Sequence, residues 1–228
     1  MRIGEKPEIA HLPLFRHMDE VRRDEILAHA YLQVFPPQLT LFEAGQNADF
    51  LYVLVDGLAE LYAQSAGRET TMRIVEPVTS FILAAVVTDL PFLMSARTLV
   101  SSRVLMVPAA NLRDAIKQDP ALMQAAMHEL ANGYRDLVRA LTDMKLRQSA
   151  ERLGNLILQA ETQQGGNGRV RIKSEKRLIA SLLGMTPENL SRAFGVLGAH
   201  GIKVEGALVR ITDRNSLVQF SRPDQVPL

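Results

Sequence analysis

The sequence contains no cysteine. That single absence excludes a disulfide framework, cysteine-ligated zinc, an iron–sulfur cluster and thiol chemistry. The stretch from Met1 to Pro13 carries charges and lacks the apolar centre of a signal peptide. The uncharged segment Pro77 to Thr88 falls far short of a membrane span, so a cytoplasmic protein is expected. Paired carboxylates, metal-spaced ligands, a nucleophile motif and a phosphate loop are likewise missing from the pattern, and an enzyme is not expected. Net charge is also scarce, at +1, but it is unevenly placed. From Arg147 onward there are 12 Lys/Arg against 7 Asp/Glu, net +5, whereas Met1 to Leu146 holds 14 against 18, net −4. A basic carboxy-terminal module that meets a polyanion is the implication.

What the chain does have is a soluble globular balance, 47% hydrophobic and 22% charged over 228 residues, enough for two modest domains. Between Gln33 and Pro108, short β-branched or aromatic runs alternate with turn residues. The runs are Leu39 to Phe42, Phe50 to Val55, Ala59 to Ala63, Thr70 to Val75 and Leu99 to Val107, with turns at Glu43-Ala44-Gly45 and Val55-Asp56-Gly57. Strands so short and closely spaced predict an antiparallel barrel or sandwich. A helical pattern over Met18 to Ala30 precedes them. After them, Met123, Met127, Leu130, Tyr134, Leu137, Leu141 and Met144 recur at steps of four and three, a heptad seam on one long helix. Such a seam calls for a second copy of the helix; the alternative, packing on its own barrel, normally shows a broader apolar stripe. The fold class expected is α+β, in three parts: a β-barrel over 1–118, a helix over 119–146 that pairs with a second copy, and a basic carboxy-terminal domain over 147–228.

The last part carries the most explicit motif. A helix from about Ser174 to Leu182, a Leu183-Gly184-Met185 turn and a second helix opened by Thr186 and Pro187 follow the helix-turn-helix plan. The Thr186 hydroxyl can satisfy an orphan amide at the N-cap, and Pro187 suits the first helical position, where no amide is needed. Leu178, Ile179, Leu182, Leu190, Phe194 and Leu197 supply the locking faces. Glu188, Ser191 and Arg192 share the opposite face at i, i+3 and i+4, the part of a recognition helix that reaches bases. Arg192 can donate twice to guanine and Glu188 can accept from cytosine; the competing reading is a surface ion pair. Lys173, Lys176, Arg177, Thr186, Lys203 and Arg210 are candidate phosphate contacts, and Ile202 to Val204 with Leu208 to Ile211 reads as a β-hairpin wing behind a short strand at Arg169 to Ile172.

With these residues in hand, the chain resembles the cyclic AMP receptor protein / FNR superfamily of transcription regulators over nearly its whole length. Gly45 and Gly57, the long helix and the winged helix-turn-helix occur in the family's order. Glu188-Asn189-Leu190-Ser191-Arg192 looks like the E-x-x-S-R reading signature of the FNR-type branch. The resemblance implies a jelly-roll, cyclic-nucleotide-binding-like sensor, a homodimer, a TTGAT-like palindrome in double-stranded DNA, and RNA polymerase as a further partner. Relatives that bind a cyclic nucleotide use a G-E dipeptide and an R-S-A stretch. Here Phe81-Ile82-Leu83-Ala84 and Met94-Ser95-Ala96 stand in those places, so the acid and the phosphate-binding Arg are gone and cyclic AMP is not expected as ligand. The stretch Phe81 to Thr98 looks like the nitric-oxide-responsive NnrR/DNR-like branch, activators of denitrification genes, which implies haem. The pocket would be lined by Phe81, Leu83, Val86, Leu90, Phe92 and Met94, with plain core as the alternative. An axial donor is usually His, and His11, then His17, are the candidates. Two alternatives stay open: a regulator of the same fold with another effector, and an interaction module that does not bind DNA.

Overall fold

The computed structural model describes residues 12–172 and 175–223, and the chain divides into two compact units, Met1–Arg135 and Asp136–Leu228. In the first, α1 (Glu20–Ala28) begins where the Asp19 carboxylate accepts the amides of Val21 at 3.1 Å and Arg22 at 3.2 Å. Eight strands follow: β1 (Tyr31–Phe35), β2 (Thr40–Phe42), β3 (Phe50–Asp56), β4 (Ala59–Ser65), β5 (Arg68–Val75), β6 (Thr79–Phe81), β7 (Ser95–Thr98) and β8 (Ser102–Pro108). They form two antiparallel four-stranded sheets, ordered β1-β8-β3-β6 and β2-β7-β4-β5. The expected barrel is therefore an open two-sheet sandwich. Its corner strands β2 and β6 are three residues each, too short to carry a ladder from one sheet into the other.

Burial explains why these runs became strands. In β3, Leu51 to Val55 is buried throughout, as expected of a central strand covered on both faces. Leu51, Leu54, Leu61, Val104, Leu105 and Val107 form the middle of one core with Phe15, Leu27 and Leu112. Gly57 turns the chain between β3 and β4 at φ +101°, and a Cβ there would stand 2.7 Å from the Ser102 Cα, so only glycine fits. Helices α2 (Leu83–Thr88) and α3 (Ala109–Gln118) complete the sensor side.

The long helix α4 (Pro120–Leu146) starts at Asp119, whose carboxylate accepts from Ala121 at 2.8 Å, Leu122 at 3.0 Å and the Asp19 amide at 3.2 Å. Burial raises the Asp119 pKa, but the amides of Leu122, Asp19 and Ala121 and the charge of Arg22 outweigh it and hold the carboxyl below its ordinary value. Asp119→Ala should cost about 0.5–2 kcal/mol by thermal melting, the usual loss of an N-cap. Because the folded pKa is depressed, that contribution is present above the unfolded carboxylate range and fades as pH falls through the folded value. A variant as stable as the native chain at neutral pH would contradict this. Further along α4, the Ser80 hydroxyl on β6 donates to the Glu129 carboxylate. Burial pushes Glu129 up to about 7, against the pull of Arg73, so as pH rises through that value the fold must hold a partly buried charge and loses stability.

The second unit holds α5 (Ser149–Gln163), β9 (Arg169–Arg171), α6 (Lys176–Leu182), α7 (Pro187–Gly198), β10 (Ile202–Glu205), β11 (Leu208–Ile211) and α8 (Arg214–Ser221). The strands form an antiparallel sheet ordered β10-β11-β9. Its core gathers Leu153, Ile157, Ile179, Leu190, Leu197 and Val209. Buried Glu161 accepts from the Gly168 amide at 3.1 Å and from Arg214 Nε at 3.3 Å, tying α5, the β9 loop and α8 together. The division between units falls inside α4, at Arg135/Asp136. A helix that carries few buried side chains along its later turns contributes little to either core.

Candidate nucleic-acid interface and sensor site

The helix-turn-helix is built as the residue types dictate. Helix α6 begins at Lys176, two residues later than expected, and its end is set by Gly184 at φ +62°, a left-handed turn that glycine adopts at little cost. The Met185 amide then reaches back to the Ala180 carbonyl at 2.9 Å. Thr186 takes the N-cap of α7, its hydroxyl accepting the Asn189 amide at 3.3 Å, and Pro187 occupies the first helical turn. Leu190, Ala193 and Leu197 of α7 are buried against Ile179 and Ala180 of α6. That packing leaves Glu188, Ser191 and Arg192 together on the exposed side.

The same face is partly pre-ordered. The Glu188 carboxylate is held below its ordinary pKa first by its own backbone amide, then by the Thr186 hydroxyl and the charge of Arg192. It is therefore an acceptor at neutral pH. The Ser191 hydroxyl donates to the Pro187 carbonyl at 3.1 Å, a commitment that side-chain spacing did not reveal; its lone pairs remain to accept. Of the phosphate candidates, Lys176, Arg177, Lys203 and Arg210 are exposed, and Arg210 pairs with Glu205 at 3.4 Å. Thr186 is spent on the cap, and Lys173 lies outside the described residues.

Most seam residues of α4 are exposed. Only Leu122 and Ala126 of this helix are buried. Met127, Tyr134, Leu137, Leu141 and Met144 are each more than half exposed and Met123 is exposed as well, while Leu130 is half-buried against the sensor core.

In the sensor unit, Phe81, Leu83, Val86 and Phe92 are buried, and Met94 is partly so. Phe81 and Phe92 lie in one aromatic cluster with Phe42 and Tyr52, the Phe42 and Phe92 ring centres being 4.1 Å apart. Leu90 does not join them: it is 59% exposed, because α2 ends at Thr88 and the left-handed Asp89 (φ 55°) throws the chain outward. The expected pocket thus loses one wall. Ile82 sits at φ 62°, a strained setting for a β-branched side chain. Arg97, the cation nearest to Met94 in the sequence, is committed elsewhere. Its Nε donates to buried Glu60 at 2.8 Å, its Nη1 to Glu69 at 3.2 Å, and its guanidinium stacks 4.4 Å over the Tyr62 ring. His11 lies outside the described residues and His17 is exposed. No group of three or more His, Asp or Glu side chains among the described residues could hold a metal. The described residues therefore do not fit haem: the aromatic ring cluster fills the candidate pocket and brings no axial donor to it.

A sandwich sensor, a long helix with an apolar seam and a winged helix-turn-helix together define a DNA-binding transcription regulator of two units. Comparison with known proteins agrees. Residues 32–119 match the model described as a cyclic nucleotide-binding domain, and residues 151–220 match the Crp-like helix-turn-helix domain. The chain belongs to the Crp/Fnr family. Over 194 residues it is 27% identical to the CRP-like cAMP-activated global transcriptional regulator of Mycobacterium tuberculosis, covering 82% of this chain and 87% of that protein. In fold it is similar to FixK2 from Bradyrhizobium japonicum, at TM-score 0.73 and 19% identity over 84% of this chain and 96% of that one. It is also similar to DNR from Pseudomonas aeruginosa, at TM-score 0.51 and 24% identity over 96% and 99%. Among the described residues, no helix is long and apolar enough to cross a membrane.

Proposed function

We propose that this regulator is a cytoplasmic homodimer, not an enzyme, that reads a TTGAT-like palindrome and answers to nitric oxide, controlling denitrification-type genes. The observation that carries the DNA reading is the exposed Glu188, Ser191 and Arg192 face on a helix whose start is locked by Thr186 and Pro187. Double-stranded DNA and a second copy of the chain are its partners, with RNA polymerase the partner that gene activation would require. In this reading 1–118 senses, 119–146 dimerises and 147–228 binds DNA. Nitric oxide rests on the family branch that the sequence resembles and on a sensor core whose lining is apolar; no step is assigned to haem. Fluorescence anisotropy on a TTGAT-type palindrome and a scrambled duplex tests the reading. Preference on the order of 10³-fold or more is expected of a specific binder, and equal affinity for the two duplexes would overturn it.

A second reading, a regulator answering to a cyclic nucleotide, is favoured by the family model over 32–119 and by the cAMP-activated relative. The side chains argue against it. A cyclic phosphate drawn into this core would meet Met94 rather than a cation, and Arg97 would have to abandon Glu60 and Glu69 to reach it. An unpaired buried anion is costly. Titration calorimetry should accordingly show no saturable heat with cyclic AMP, and saturation at micromolar concentrations would establish the second reading instead.

A further inference from the structure

Two of the cations that make the carboxy-terminal module basic are spent inside it. Arg147, just past the end of α4, pairs through Nε with Asp143 one turn earlier at 2.6 Å, and its Nη1 donates to the Ser221 and Arg222 carbonyls at the end of α8. Arg152, in the first turn of α5, donates through Nε to the Leu183 carbonyl at 3.0 Å and through Nη1 to the Arg147 carbonyl at 2.7 Å. Both arginines are half-buried.

The two carbonyls that Arg152 brackets lie where the direction of α7 is decided. That of Leu183 closes α6 at the helix-turn-helix turn, where its own helix offers no further amide. That of Arg147 belongs to the two-residue link, Arg147-Gln148, between α4 and α5. A second contact reaches the same turn from α4: a Cβ on Gly184 would stand 3.0 Å from the Met144 Cε, so the Met144 methyl rests against the turn. Directly after Gly184 come Met185, whose amide donates to the Ala180 carbonyl, and Thr186, the cap of α7. Within the second unit, the last turn of α4 and the first turn of α7 are thus fastened to one another. The soft dihedrals of the link have no independent play.

We propose that Arg152 is a positioning residue for DNA reading: its guanidinium fixes the start of α7 to the end of α4, so that in a dimer the long helices, and not the Arg147-Gln148 link, set the separation of the two reading faces. The proposal rests on the dimer and DNA readings above. A bond from a charged donor is stronger than one between neutral groups, and a planar guanidinium serves two carbonyls in a fixed fork where an ammonium is a point charge. Without that bracket each α7 would swing on the link. A single half-site would still be read, because the Thr186 cap and the Glu188, Ser191 and Arg192 face are built within α7 itself. Two half-sites would no longer have to lie at one fixed distance.

The experiment measures the affinity of the native chain, Arg152→Met and Arg152→Lys for three duplexes: the palindrome, the same palindrome with one base pair inserted at its centre, and a single half-site. The insertion moves one half-site by about 3.4 Å and turns it by about 35°. For the native chain, simultaneous engagement should make the palindrome tighter than the single half-site by on the order of 10²-fold, and the insertion should remove most of that gain. Arg152→Met should bind the single half-site as the native chain does, while its ratio between the two palindromes falls from on the order of 10² to near 1. Arg152→Lys keeps the charge without the planar fork and should show the same collapse; it decides the matter should methionine at this position unfold the chain. Sedimentation should find both variants dimeric. A native ratio in either folded variant would overturn the proposal, and so would loss of the dimer. Equal weakening on all three duplexes would overturn it too, since Arg152 would then be a DNA contact. A native chain with no preference for the palindrome over a scrambled duplex would overturn the DNA reading itself, and this role with it.

Discussion

Replacing Leu137 and Leu141 with aspartate should leave the folded chain intact and abolish the dimer. Both side chains lie on the α4 seam and are exposed, 61% and 51%, so in an isolated chain the substitution only trades apolar surface for solvated charge. In a paired seam the same positions face their counterparts at successive layers. Four carboxylates would then be desolvated beside one another without cations, at a cost of several kcal/mol. A penalty of even about 4 kcal/mol raises the dimer dissociation constant by roughly three orders of magnitude. The choice of positions matters. Leu130 belongs to the same seam but packs against the core of the first unit, so an aspartate there would damage that core and confuse loss of dimer with loss of fold. Sedimentation should show a monomer with native circular dichroism and melting. A persisting dimer would remove the seam as the interface.

That distinction between Leu130 and its neighbours marks what was legible in the sequence. Periodicity alone found the seam, since spacing by three and four is a local property of one helix. The cap and turn at Gly184, Thr186 and Pro187 were equally legible, each residue type having its own backbone reason to be there. What spacing could not show is which seam residue a distant sheet half-covers. Elements without a local signature were lost for the same reason. Strand β1 shows no buried residue in its alternation and exists because β8 pairs with it. Helix α3 starts at Pro108 with no side-chain cap, and α8 was passed over although Asp213 caps it. In the candidate pocket, an apolar run read as continuous lining contains a short helix bounded by two left-handed residues, Ile82 and Asp89, which sends Leu90 to the surface. Arg97 is the sharpest case. Its partner Glu60 is 37 residues away, and no pattern near Met94 announces that the cation is already taken.

The second large effect is expected at Arg192. It shares the exposed face of α7 with Glu188, and the two are competent for different bases: a guanidinium donates in pairs to guanine, while a carboxylate accepts from cytosine. Glu188 is tied by its own amide and the Thr186 hydroxyl, which fixes the first turn without immobilising Arg192. Truncating Arg192 to alanine should remove a bidentate contact worth about 1–3 kcal/mol in each half-site. A dimer loses it twice, about 2–6 kcal/mol in all, or roughly 30-fold or more in affinity. The loss should fall on the native palindrome and nearly vanish on duplexes already changed at that base pair in both half-sites. Phosphate contacts behave otherwise: removing Lys176 or Arg177 should weaken every sequence alike and reduce the salt slope by about 0.9 per contact. Anisotropy on the palindrome and its single-base variants, at several salt concentrations, separates the two patterns. If Arg192→Ala weakens all duplexes equally, its guanidinium rests on backbone rather than on guanine. Specificity would then have to come from Glu188 and Ser191 or from the shape of the DNA, because no other side chain of the first two turns of α7 combines exposure with hydrogen-bonding reach except Asn189 on the neighbouring flank.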